Sequence, residues 1–236
     1  MSVLATFGPK HSRDEDTCDQ YHDVNLRVKQ PDALFNEYSD WETFDGPSGT
    51  YGGVVFNARG HAVKFTPIKN GADEEPYNTC LANKKGHAPE FYDAWKVKDA
   101  DDEEFYAIEM ETYDDTLYDY IITKPTKESD DSDIDSSLAD LITQLAHDRT
   151  CHSDLHLGNI MLKRTADGHY TVKAIDWMGA KFEEKVCKSP LFFYEELEEL
   201  IGVEDMKLRF SRTRQAVLDF ERVQKAAARA LKKNNG

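Results

Sequence analysis

Apolar positions along the chain change period twice, and those changes divide it. Two short apolar runs, Tyr51-Gly-Gly-Val-Val-Phe56 and His61-Ala-Val-Lys-Phe65, flank the turn Asn57-Ala-Arg-Gly60 and predict a β-hairpin. Residues 72–85 predict a helix, entered through Glu74, Glu75 and Pro76, which suit a first turn, and stopped by Gly86. Two further strands are expected at Phe91–Lys98 and Glu104–Met110, with a solvated acidic turn between them. A short helix over 115–123 is followed by an acidic loop over 128–135, with Asp135 or Ser136 placed to cap a strongly periodic helix from Ser137 to His147. Strands at Ile160–Lys163 and Thr171–Ile175, joined by Ala166-Asp-Gly168, lead into a helical tail over 190–234. In that tail Phe192-Phe-Tyr194, Leu197, Leu200 and Ile201 read as core at helical spacing. Strands with one helix, then mostly helices, predict an α+β, two-lobed layout. Its parts are a polar N-terminal extension (1–33), a small β-rich lobe (34–112) and a reduced, mostly helical lobe (113–236).

Composition narrows the function. With 29 basic and 45 acidic residues the formal charge is −16, which repels a phosphate backbone and argues against nucleic-acid binding. Residues 1–19 carry no apolar run of signal-peptide type, and no stretch has the length of a membrane span. Cys18, Cys80, Cys151 and Cys187 are widely separated, without a CxxC, and read as reduced thiols in a cytoplasmic protein. The acidic run 128–135 offers no register with the glycine and the final glutamate of a calcium loop. His147, Cys151, His152 and His156 would suit zinc only on a continuous helix, and Asp-Leu-His-Leu-Gly argues for a loop there.

Three segments carry chemistry together. Gly46-Pro-Ser-Gly-Thr-Tyr-Gly-Gly-Val54 is a glycine-rich turn whose amides could approach phosphate oxygens, and Lys64 on the adjacent strand adds a point charge. His152-Ser-Asp-Leu-His-Leu-Gly-Asn159 sets an aspartate and an asparagine five residues apart, one to take a proton from an acceptor hydroxyl, the other to bind a metal. Ala174-Ile-Asp-Trp-Met-Gly179 puts Asp176 at a strand end, where a carboxylate can hold Mg²⁺.

On these motifs the chain resembles the protein-kinase-like superfamily. Lys64 in Ala62-Val-Lys64 is similar to the small-lobe lysine, His152-x-Asp154-x-x-x-x-Asn159 to the catalytic loop, and Asp176 to the metal-binding aspartate. The resemblance implies bound ATP with Mg²⁺ or Mn²⁺. It implies Glu75 as the partner of Lys64, and Gly49 and Gly52 over the phosphates. Val54, Ala62 and Met161 would lie about the adenine, with Met110 and Glu111 at the hinge. Asp154 would act on the acceptor and His156 on the γ-phosphate.

The departures are specific. Pro47 replaces the first phosphate-loop glycine, His156 stands where protein kinases carry a lysine, and Asp176-Trp-Met-Gly179 holds one extra residue. Only residues 177–236 follow Asp176, without Ala-Pro-Glu, so the activation segment is short or absent, as in minimal kinases of bacterial effectors and viruses. Such proteins are active without loop phosphorylation or are switched on by a binding partner. Asp-Leu-His-x-Gly-Asn is closer to antibiotic- and choline-type kinases, yet the short second lobe favours a protein hydroxyl as acceptor. The alternatives are a small-molecule kinase and a pseudokinase that serves as a binding module.

Overall fold

The computed structural model describes residues 18–29, 42–43, 54–56, 61–68, 74–98, 102–123, 128–183, 187 and 189–234. The architecture is α+β. Strands β1 (Val28–Lys29), β2 (Glu42–Thr43), β3 (Val54–Phe56), β4 (His61–Pro67), β5 (Phe91–Lys98) and β6 (Glu104–Glu111) form one sheet in the order β1-β5-β6-β4-β3-β2. Only β1 runs parallel to its neighbour. Helix α1 (Glu75–Lys84) lies between β4 and β5, and Gly86 ends it at φ +79°, a conformation open to glycine at little cost.

The central strand β6 is buried from Tyr106 to Met110, including Glu109, whose carboxylate pairs with His61 at 2.7 Å. Period-two alternation sends Tyr106, Ile108 and Met110 to one face with Ala62, Ala94 and Leu26. Ala107 goes to the other with Val63, Trp95 and Val97.

After β6 come β7 (Asp115–Thr116), α2 (Leu117–Thr123), α3 (Glu128–His147), β8 (Ile160–Arg164), β9 (Tyr170–Ala174), α4 (Ser189–Ile201), α5 (Val203–Arg209) and α6 (Ser211–Asn234). Strands β7, β8 and β9 form a second antiparallel sheet. The larger core gathers here: Leu138, Ile142 and Leu145 of α3, Leu157, Ile160, Leu162 and Trp177, with Phe193 and Leu197 of α4, Phe210 between α5 and α6, and Val217 of α6. Tyr194 and Ile201 pack against this core as expected, whereas Leu200 is exposed, and the Phe192 side chain lies outside the described set. Among the described residues no helix is long and apolar enough to cross a membrane.

Three expectations are corrected. The acidic run 128–135 is not a loop but the first turns of α3. Its carboxylates are used by tertiary partners: Asp131 forms a fork with Arg209 (Nε–Oδ2 2.7 Å), and Asp133 accepts the Tyr170 amide and faces His169. Asp135 caps a different helix from the one expected. Its carboxylate accepts the backbone N–H groups of Arg212 (2.9 Å) and Thr213 (2.8 Å) at the start of α6. The cysteines are also paired, Cys18 with Cys80 and Cys151 with Cys187, at Cα separations of 5.8 and 5.4 Å. Folding brings together thiols 62 and 36 residues apart in sequence. Such crosslinks persist in oxidising compartments and are rare in the cytosol, so they do not fit the reduced, cytoplasmic setting read from cysteine spacing.

His87, after the turn that ends α1, is fully buried, and its carbonyl accepts the Ala174 amide (2.9 Å). Burial pushes its imidazole down to about 4, with help from Lys85 and Lys173, against the pull of the Asp148 carboxylate 3.1 Å away. The unfolded chain takes up this proton near 6.5 and the folded chain only near 4, so stability should fall as pH drops between those values. The loss should reach roughly 3 kcal/mol and level off below. Urea titrations of wild type and His87→Gln across this range check the slope, which the variant should lose. Asp135→Ala should lower the unfolding free energy by about 2 kcal/mol, seen as a lower urea midpoint at constant m, since two amides of α6 lose their acceptor. Asp135→Asn, which keeps one acceptor oxygen, should recover part of that loss.

Candidate functional site

Lys64 lies on β4, opposite Ile108 of β6 and Val54 of β3. Its Nζ is 2.7 Å from Glu75 Oε1 and 3.0 Å from Asp176 Oδ1, so one ammonium joins the large sheet, α1 and the segment after β9. Burial alone would lower its pKa. The two carboxylates outweigh that cost and leave it raised, so Lys64 is a fixed cation. Glu75, the first residue of α1, is 1 % exposed, and its Oε2 is buried without a hydrogen-bond partner among the described residues. Lys64 is therefore the group that compensates its charge.

Asp176 has φ +65°, an unusual conformation for a non-glycine residue and of the kind found where surroundings over-determine the backbone. Those surroundings are visible. The β8–β9 pairing closes at Ile160 and Ala174, which sets Ile175 beside Asn159, and the Ile175 amide donates to the Asn159 carbonyl (2.9 Å). The loop 151–156 is tied to the same segment four times over. Cys151 and Lys181 exchange backbone hydrogen bonds (2.7 and 2.8 Å), and His152 Nε2 donates to the Ile175 carbonyl (2.7 Å). Ser153 Oγ donates to the Met178 carbonyl (2.8 Å), and the Cys151–Cys187 disulfide closes the set. Burial holds the His152 pKa down, and its ring meets Trp177 edge-on at 4.5 Å. Gly179, at φ +69°, leaves room for Ser153: a Cβ there would stand 3.3 Å from Ser153 Oγ.

Within this frame Asp154 points outward, with 74 % of its side chain exposed, suited to meeting an incoming group. Its carbonyl accepts from Asn159 Nδ2 (2.9 Å), which orients the Asn159 amide and leaves Oδ1 as its acceptor. His156 Nδ1 accepts from the Gly158 amide (3.1 Å), so its Nε2 carries the proton in the neutral ring and lies 3.9 Å from Asp154 Oδ2.

Two positioning contacts escaped the sequence reading. Glu196 Oε2 of α4 accepts the Leu157 amide (2.8 Å), and Asn78 Nδ2 of α1 donates to the Trp177 carbonyl (3.3 Å). An Asn in a helix and a Glu among several others carry no local signal of such distant partners.

The residues assigned to a nucleotide base divide. Ala62 and Met110 share one apolar cluster on the Lys64 face of the sheet. Glu111 ends β6, and its Oε1 pairs with Lys163 of β8 at 2.6 Å, linking the two sheets. Met161, half-buried, lies on β8 opposite Thr116 and Lys173, outside that cluster. Val54 is described as strand backbone only, and Gly49 and Gly52 lie outside the described residues.

A separate polar depression of about 500 Å³ lies at the turn end of the β8–β9 hairpin, lined by Asp130, Asp133, Arg164, Asp167, His169 and Arg212. The site described above is at the opposite end of that hairpin, four residues or roughly 13 Å of strand away.

One end of the second sheet thus gathers a fixed ammonium, an outward carboxylate, an oriented amide oxygen and a constrained carboxylate. This set can bind a polyanion, and the hard oxygens of Asn159 and Asp176 are donors of the type Mg²⁺ or Mn²⁺ takes when other oxygens complete its shell. Among the described residues no cluster of three or more His, Cys, Asp or Glu forms a metal cage. No protein-family model matches the chain, and no curated protein matches it.

Lys64→Met should cost about 3–5 kcal/mol, because it strands a buried carboxylate. Lys64→Met combined with Glu75→Gln should be more stable than Lys64→Met alone. Chemical denaturation of both proteins checks the order.

Proposed function

We propose that this protein is an ATP-dependent phosphotransferase with a two-lobed, protein-kinase-like fold, acting on a protein serine or threonine hydroxyl. The observation that carries the reading is the Lys64 ammonium held by both Glu75 (2.7 Å) and Asp176 (3.0 Å), with Asn159 and Asp154 on loops fastened to the Asp176 segment. Bound Mg-ATP supplies the electrophilic phosphorus and the ADP leaving group. Lys64, aimed by Glu75, binds the α- and β-phosphate oxygens. Asn159 and Asp176 would hold one or two Mg²⁺ through hard oxygens. Asp154 takes the proton of the acceptor hydroxyl at its exposed carboxylate, and the His156 Nε2–H donates toward the transferred group. Catalysis of this type is positioning and charge stabilisation more than covalent chemistry. The strongly acidic chain suits a basic protein as substrate or as activating partner.

Pure protein, kept free of reductant, should transfer label from γ-labelled ATP with Mg²⁺ or Mn²⁺ to bands of a cell lysate, and Asp176→Ala should transfer none. Label confined to a panel of small hydroxyl acceptors would replace the protein substrate with a small molecule. Equal transfer by Asp176→Ala would overturn the assignment of the site.

A further inference from the structure

Helix α1 carries Glu75 but is poorly equipped to hold its own place. At ten residues it is shorter than the roughly 12–15 needed for marginal stability alone, and its sequence, EPYNTCLANK, offers little apolar surface. Of its residues only Ala82 belongs to the large core. Its position rests on discrete ties, and two of them come from the chain before the large sheet.

The first is the Cys18–Cys80 disulfide, near the middle of the helix. The second is His22, stacked on Tyr77 with ring centroids 3.8 Å apart and planes 23° apart. The segment that provides both is itself anchored to the sheet. Leu26 is buried with Ala62, Ala94, Tyr106, Ile108 and Met110, the cluster on the Lys64 face. Asp23 pairs with Lys96 (2.7 Å) and accepts from the Tyr106 hydroxyl. The Lys96 amide donates to the Arg27 carbonyl (2.9 Å), β1 pairs in parallel with β5, and Tyr21 meets Phe91 edge-on at 4.7 Å. Cys18 and Cys80 are both buried, which makes their bond a fixed strut and not an exposed, exchangeable one.

We propose that residues 18–29 are a built-in positioning strap for α1, latched by Cys18–Cys80 and footed on the sheet through Asp23 and Leu26, which holds Glu75 against Lys64. The sheet carries Lys64 and the strap ties α1 to that same sheet, so the strap fixes the span across which the ion pair forms. Its consequence for nucleotide binding rests on the phosphotransferase reading.

The test is hydrogen exchange on the full chain, comparing peptides across 74–85 with peptides across 137–147 of α3, beside Mg-ATP affinity. Cys18→Ser/Cys80→Ser should raise exchange in α1 by about tenfold or more with α3 unchanged, and should weaken Mg-ATP binding by a similar factor. Asp23→Ala keeps the disulfide but removes the footing on Lys96 and Tyr106, and should loosen α1 to a smaller extent. This variant separates positioning from the general stabilisation a crosslink gives by restricting the unfolded chain. It also stands in if the cysteine variant fails to fold. Selective loosening of α1 without Mg-ATP binding in any form would uphold the strap and overturn the phosphotransferase reading. Exchange in α1 that stays unchanged in Asp23→Ala, or that rises equally in α1 and α3, would overturn the strap.

Discussion

A single half-buried ammonium between two carboxylates organises this molecule. Lys64 stands on the large sheet, Glu75 on the helix beside it and Asp176 on the segment leaving the small sheet. Glu75 is almost completely excluded from solvent and depends on Lys64 to offset its desolvation cost, whereas Asp176 keeps 32 % of its side chain exposed. The attraction of both carboxylates to one ammonium thus imposes a three-way distance constraint, and elements far apart in sequence must satisfy it together.

The rest of the site is built to keep that constraint. The β8–β9 hairpin returns the chain so that Asn159 and Asp176 emerge side by side, and the loop before it is fastened by backbone bridging, by His152 and by Ser153. Asp176 accepts an uncommon backbone conformation within this frame. On the other side α1 is held by Asn78 to the Trp177 carbonyl and by Cys80 to Cys18. The helical part is locked by the same economy of paired charge, with Asp131 on Arg209 and Asp135 on the start of α6. Acidic residues that give the chain its charge of −16 are therefore structural ligands in several places and not only a solvated surface.

Much of this was legible in the amino-acid order because it depends on local rules. Alternation marked β4, β5 and β6, Gly86 marked the end of α1, and the turn Ala166-Asp-Gly168 marked the β8–β9 hairpin. Motif spacing named Lys64, Asp154, Asn159 and Asp176 as one group, and the resemblance added Glu75. The pairing of Lys64 with Glu75, expected from resemblance, is present at 2.7 Å, while Lys64 also meets Asp176, which the reading had reserved for metal.

What the tertiary structure alone decided are the partners of groups whose local text is uninformative. A run such as Glu-Ser-Asp-Asp-Ser-Asp-Ile-Asp has low helix propensity and reads as loop, yet it is helix because Arg209, the Tyr170 amide and the first amides of α6 take up its carboxylates. Cysteines 62 and 36 residues apart carry no sign of whether folding will bring them within bonding distance. Glu196 and Asn78 are ordinary helix residues until a loop amide and a carbonyl arrive opposite them. Periodicity and turn chemistry act over a few residues and so can be read from sequence. Charge compensation and crosslinking act across space, between residues whose separation along the chain says nothing of their distance.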